Sequence, residues 1–114
     1  MRDIKFRALD EDGDMDYGNN SYIFDMYEDS EVMQYTGLKD KNGVEIYEGD
    51  LFGVTNLSDE LEIVGEVIFD TDFAQFTIKY TNGGWAELWQ HLQVETNKVK
   101  EVVGNIYEDK ELLK

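Results

Sequence analysis

A chain of 114 residues with 26 acids, ten Lys and Arg and a single His carries a formal charge of −16 and is long enough for one buried core. It has neither cysteine nor proline, which excludes disulfides, thiolate metal sites and cysteine nucleophiles and leaves the turns to Gly, Asn and Asp. Its negative field repels nucleic-acid backbones and anionic lipid, no apolar run approaches the roughly 20 residues of a membrane-spanning helix, and no apolar stretch follows Met1 to Lys5, so no secretory signal and no membrane partner is expected.

In chain order, Ile4, Phe6 and Ala8 alternate with Lys5, Arg7 and Leu9, the period of a strand. Asp12-Gly13 offers a hairpin turn, with Met15 to Tyr17 as the returning strand. Residues 18–21 read as loop, and Tyr22 to Tyr27 is a short aromatic run that reads as a strand, interrupted by residues 28–31. Val32 to Thr36 is a further strand closed by Gly37. Asn42-Gly43 predicts a tight hairpin, because both central positions tolerate positive φ, between Leu38 and the Val44 to Tyr47 run. Glu48-Gly49-Asp50 is a second tight turn, leading into a strand from Leu51 in which Gly53 marks a bulge or a close backbone approach. After a polar loop at residues 56–60, Ile63 to Phe69 and Phe73 to Tyr80 are the strongest β runs, joined as a meander through residues 70–72, with Phe76, Ile78 and Tyr80 on one face.

Beyond Asn82-Gly83-Gly84 the period changes. Trp85, Leu88, Trp89 and Leu92 follow helical spacing and predict one short helix across the open end of the sheet. Residues 99–107 return to strand and residues 108–113 suggest a last helical turn. The fold class is therefore mainly β, a β-rich α+β chain forming a single domain over residues 1–114.

The chemical motifs are weak. The acid run from Asp10 to Asp16 resembles a calcium loop, but an EF-hand counted from Asp10 needs Gly where Met15 stands and Glu where Ser21 stands. A hydrated hairpin tip is the simpler reading. His91 has no identifiable triad partners and flanks the helical stripe as a partly exposed rim residue. Gly83-Gly84 lacks the lysine and spacing of a phosphate loop. Among 26 acids, carboxylate pairs carry no signal without geometry. No catalytic residue, metal ligand or cofactor site is expected, and the chain reads as a non-enzyme.

Trp85 and Trp89 are expected to close the core, with an aromatic binding platform as the alternative. Tyr35, Tyr47 and Tyr107 could seed an interface, where Tyr is enriched. Lys39 and Lys41 are the only basic residues between Arg7 and Lys79 and could meet an anionic ligand locally. With the Thr36-Gly37 bend and the Glu48 to Asp50 turn, the candidate binding and interface residues are Tyr35, Thr36, Gly37, Lys39, Lys41, Tyr47, Glu48, Asp50, Trp85, Trp89 and Tyr107.

Three blocks, MRDIKFRALD at the start, MQYTGLKDKNGVEIYEGDLF in the middle and EVVGNIYEDKELL at the end, resemble the YopX family of phage and prophage proteins. They occur in order and span nearly the whole chain. Leu9 departs from the family habit of a tryptophan there. The resemblance implies an N-terminal hairpin and strand region over residues 1–36 and a small SH3-like barrel over residues 37–114, entered at Glu48 to Leu51. It implies a phage origin and action in the cytoplasm of an infected or lysogenic bacterium, but no reaction. The expectation is a non-enzymatic interaction module that assembles with itself or with a host or phage protein. The alternative is a counter-defence protein, either an acidic DNA mimic or a binder of a nucleotide signal.

Overall fold

The computed structural model describes residues 4–18, 22–28, 31–55, 58, 60–93 and 99–113. The loops read at residues 18–21 and 56–60, and the interruption at 28–31, fall largely outside them. Among the described residues, nine strands form two antiparallel sheets, and the short α-helices sit between strands.

The first sheet has the order β2-β1-β3-β4, from β1 (Phe6–Leu9), β2 (Met15–Gly18), β3 (Met33–Lys39) and β4 (Glu45–Tyr47). The hairpin expected at Asp12-Gly13 is present, with Leu9 opposite Met15 and Phe6 opposite Gly18. The aromatic run after it is not a strand: Tyr22–Met26 forms helix α1. Ile23 is buried and its carbonyl accepts the Tyr27 N–H at 3.1 Å, while Phe24 packs edge-on against Phe6 at 4.9 Å. One buried position and its partner four residues on is a helical stripe too short for periodicity to separate from a strand.

The second sheet has the order β8-β7-β6-β5-β9, from β5 (Asp50–Thr55), β6 (Leu61–Asp70), β7 (Gln75–Tyr80), β8 (Trp85–Glu87) and β9 (Val99–Asn105). Strands β5 to β8 are a meander, and β9 returns to pair with β5, leaving β8 and β9 as the two edges. The second sheet thus begins directly after the Glu48-Gly49 turn. The boundary expected after residue 36 falls inside β3, because the β3–β4 hairpin pairs back onto β1. Between β8 and β9 lies helix α2 (Leu88–Gln93), and a 3₁₀ turn (Lys110–Leu113) follows β9.

The main core joins Ile46 of β4 to Phe52, Val54, Val67, Ile78 and Tyr80 of the second sheet and Leu88 of α2. Burying each large apolar side chain contributes about 1.5–3 kcal/mol relative to exposure. Gly53 makes the close approach its sequence suggested: a Cβ there would lie 2.7 Å from Leu61 Cδ1 and 2.9 Å from Val103 Cγ1.

The turns share one chemistry. In each of the segments 10–14, 40–44 and 80–84 the first residue's carbonyl accepts from the glycine three places on, and its N–H donates to the carbonyl four places on. Gly13, Gly43 and Gly83 take positive φ, whereas Asn42 does not. The Asn42-Gly43 turn is therefore a type I turn closed by a left-handed glycine, not the mirror-image two-residue turn that the dipeptide suggested.

Candidate functional site

Two surfaces gather most of the candidate residues. The first is the seam between the sheets. Tyr35 of β3 stands opposite Tyr47 of β4, and their rings lie 5.3 Å apart. Tyr17 meets Tyr47 edge-on at 5.7 Å. Strand β1 and the residue before it bring cations to these rings: Lys5 Nζ lies 5.3 Å from the Tyr35 centroid and the Arg7 guanidinium 4.6 Å from that of Tyr47. Lys5 also pairs with Glu45.

Arg7 is only 5 % exposed, an unusual place for a permanent charge. Its Nη2 donates to Asp50 Oδ1 at 2.7 Å and to the Glu48 carbonyl at 3.3 Å, and Asp50 Oδ2 accepts the Tyr47 N–H at 2.7 Å. The ion pair thus bolts the central strand of the first sheet to the turn that opens the second. Burial pushes the Asp50 carboxyl up, opposed by Arg7 and by the Tyr47 N–H. Burial likewise raises Glu48, opposed by the N–H of Gln34, whose bond to Glu48 Oε1 is 2.8 Å. Burial first, then Glu45, pushes the Tyr47 phenol up to about 12, so it is a neutral hydroxyl at pH 7.

Arg7 Nε is buried without a hydrogen-bond partner among the described residues. Beside it opens a cleft of about 360 Å³, lined among others by Tyr17, Glu45, Asp50 and Asn105. Tyr17 and Val44 are exposed at its rim. Aromatic edges around a locked cation suit recognition of a side chain better than proton transfer, since both ionised partners are already held by each other.

The second surface is the outer face of β7 and β8. Trp85 and Trp89 do not close the core: they are 55 % and 57 % exposed. The helical spacing placed Trp85 in a helix, but residues 85–87 pair with β7 and α2 begins at Leu88. Leu88 is buried and Leu92 packs on the core, which rotates Trp89 outward. Phe73, at the β6–β7 turn, is 74 % exposed. With Asp70, Asp72, Thr77 and Glu87, Phe73 and Trp85 line a cavity of about 450 Å³.

The remaining candidates lie apart. Thr36 is buried and structural: its hydroxyl donates to the Ile46 carbonyl at 2.7 Å and accepts from the Leu38 N–H at 3.2 Å. Gly37 takes φ 86° where the β3–β4 register shifts. Lys39 and Lys41 are exposed near the β3–β4 turn, and Lys39 faces Glu45 in register. Tyr107 is exposed beyond β9. The acid run at Asp10 forms a hairpin tip whose first carboxylate accepts the N–H groups of Asp12 and Asp14 at 2.9 and 2.8 Å. His91 is half-buried with Nε2 2.7 Å from Tyr80 Oη, and burial, then Lys100, lowers its pKa.

Of the residues singled out in the sequence, Tyr35, Tyr47, Glu48 and Asp50 come together at this seam, while Arg7, which joins them, was not among them. Nor was Asp40, which is buried and whose carboxylate accepts the N–H groups of Asn42, Val44 and, from β9, Val102. The visible signal was an aspartate two residues before Asn-Gly, the Asx-turn position.

A search among curated proteins returns no match. The family model described as YopX protein matches residues 2–114, essentially the whole chain, as the three sequence blocks led one to expect. This chain belongs to the YopX family.

Proposed function

We propose that the protein is a phage- or prophage-encoded interaction module that works in the bacterial cytoplasm through protein–protein contacts and not by catalysis. The observation that carries this reading is the exposure of three large aromatic side chains, Trp85 on strand β8, Phe73 at the β6–β7 turn and Trp89 on α2. Large aromatic groups held in water by a rigid scaffold lose area favourably when a partner covers them, and such residues are enriched at interfaces. The surface around them is acidic, which favours a partner of opposite potential and speeds encounter.

The test is capture. The tagged full chain is used to draw partners from infected host cells, in parallel with Trp85→Ala and Trp89→Ala. Light scattering after size-exclusion chromatography reports self-association. A partner or an oligomer that the tryptophan variants weaken supports the proposal. A strict monomer that captures nothing sinks it.

A further inference from the structure

We propose that the cavity on the outer face of β7 and β8 receives a basic side chain, arginine or lysine, of a partner protein; this rests on the reading of that face as the interaction surface. The register builds the cavity. On the outward rows, Thr77 stands opposite Ile68 and Glu87, Asp70 opposite Gln75, and Lys79 opposite Trp85. The cavity of about 450 Å³ lies among Asp70, Asp72, Phe73, Thr77, Trp85 and Glu87.

Its polar groups are out of balance. Ionised carboxylates accept hydrogen bonds and donate none. Thr77 is 4 % exposed, and its hydroxyl has no partner among the described residues. A buried hydroxyl left without a partner costs about 1–3 kcal/mol. Gln75 and Trp85, which also line it, can donate, but the carboxylates of Asp70, Asp72 and Glu87 leave the cavity with acceptors and negative charge in excess. A guanidinium brings five N–H donors and an ammonium three, each with a positive charge.

The aromatic walls point the same way. A cation over an indole or phenyl face within about 6 Å is attracted by the ring quadrupole. Lys79 Nζ already lies 5.5 Å from the Trp85 centroid, so this ring accepts a cation in its present setting. A metal ion is a poorer occupant, because among the described residues no three acidic or imidazole groups converge as ligands would. The formal charge of −16 draws basic partners in from a distance.

The experiment titrates the ¹⁵N-labelled full chain with a synthetic hexapeptide of alternating threonine and arginine, and with its counterpart carrying glutamine for arginine. The expected result is saturable shifts at the Thr77 and Glu87 amides and the Trp85 indole with the arginine peptide alone. Affinity should fall about tenfold or more between low and moderate salt, as screening of exposed charge requires. Trp85→Ala and Glu87→Gln alter exposed side chains, and circular dichroism verifies that both remain folded. Each should weaken binding severalfold, whereas Lys79→Ala, which removes the internal competitor for the ring, should strengthen it. No saturable shift, equal binding of the glutamine peptide, or shifts unaffected by these variants would overturn the proposal. A natural partner captured equally well by the parent and by Trp85→Ala and Glu87→Gln would also overturn it, while leaving the broader interaction reading intact.

Discussion

Removal of Arg7 or Asp50 should be among the most damaging single changes in this protein. Both side chains are nearly fully buried, at 6 % and 4 % exposure, and they meet at 2.7 Å. Taking away one member of a buried ion pair strands the other and costs about 3–5 kcal/mol. Arg7→Met leaves the Asp50 carboxylate with the Tyr47 N–H and without its counter-charge. Asp50→Ala strands the guanidinium and also the Tyr47 N–H, which adds about 1–3 kcal/mol for an orphaned donor. Against a total stability of about 5–15 kcal/mol for a domain, Asp50→Ala removes about a quarter or more. Arg7→Met with Asp50→Leu should recover much of that loss, because the double change leaves no stranded charge. Urea unfolding followed by far-UV circular dichroism, extrapolated to zero urea, measures these variants together with Asp50→Leu, and the cycle of Arg7→Met, Asp50→Leu and their combination isolates the coupling. Burial already raises the Asp50 carboxyl and Arg7 opposes that rise, so in Arg7→Met it moves further up. The penalty of that variant should therefore shrink as the pH falls and the stranded carboxylate takes up a proton. Single variants that each cost under about 1 kcal/mol, with a double variant equal to their sum, would refute the seam as a bolt and mark it as an ordinary surface pair.

Gly49 has φ 82° and a Cβ there would meet Met33 Sδ at 2.9 Å, whereas Gly13 at φ 87° has nothing within 4 Å. Gly49→Ala should cost more than the roughly 1–2 kcal/mol of left-handed strain that Gly13→Ala suffers, and equal unfolding midpoints would contradict the close approach. Asp40→Ala removes the acceptor of three N–H groups and should destabilise by about 2 kcal/mol or more, read by thermal unfolding, with faster amide exchange at Val102. His91 is lowered below 6.5, so between its folded value and 6.5 the unfolded chain holds more protons than the folded one. Its contribution is complete above 6.5 and is lost as the pH falls from there through its lower folded value; proton NMR should place its midpoint below 6.5, and His91→Gln should flatten this part of the pH–stability curve. A midpoint at or above 6.5 would contradict the burial.

The legible parts of the fold were those where one residue type meets one backbone demand. The turns at Asp12-Gly13, Asn42-Gly43, Glu48-Gly49-Asp50 and Asn82-Gly83 were all located, because glycine alone takes positive φ without strain. Their turn type was not legible at Asn42, since the dipeptide permits either geometry and the Asp40 carboxylate decides between them. The meander of β6 and β7 was plain from β-branched and aromatic runs on alternating faces. Helix α1 was not, because five residues give too little periodicity and the burial of Ile23 depends on a sheet formed by distant residues. The tryptophans were misplaced because an apolar stripe counts hydrophobic residues without knowing which are covered. Where β8 pairs with β7, Trp85 belongs to a strand and turns to the outer face. Arg7 was hidden for a related reason. In an alternating strand it occupies a row that would face water, and only the second sheet makes that row interior.

The seam and the outer face together set how the few cations of this acidic chain are used. Several of its few cations are engaged within the molecule: Lys5 with Glu45 and the Tyr35 ring, Arg7 with Asp50 and the Tyr47 ring, Lys79 on Trp85, and Lys100 donating to the His91 carbonyl at 3.1 Å. Internal pairing of so few cations leaves most carboxylates to the solvent, and a surface of one sign repels copies of itself while attracting the opposite sign. The repulsion also strains the folded state, so added salt should stabilise the protein. A thermal midpoint that rises between about 20 mM and 500 mM NaCl, as the Debye length shrinks from over 20 Å to about 4 Å, is the expected result. The same screening should weaken capture of a basic partner. Stability and affinity are thus expected to move in opposite directions along one salt series. If both rose together, the contact would be driven by apolar burial at Phe73, Trp85 and Trp89, and the carboxylates around them would serve solubility alone.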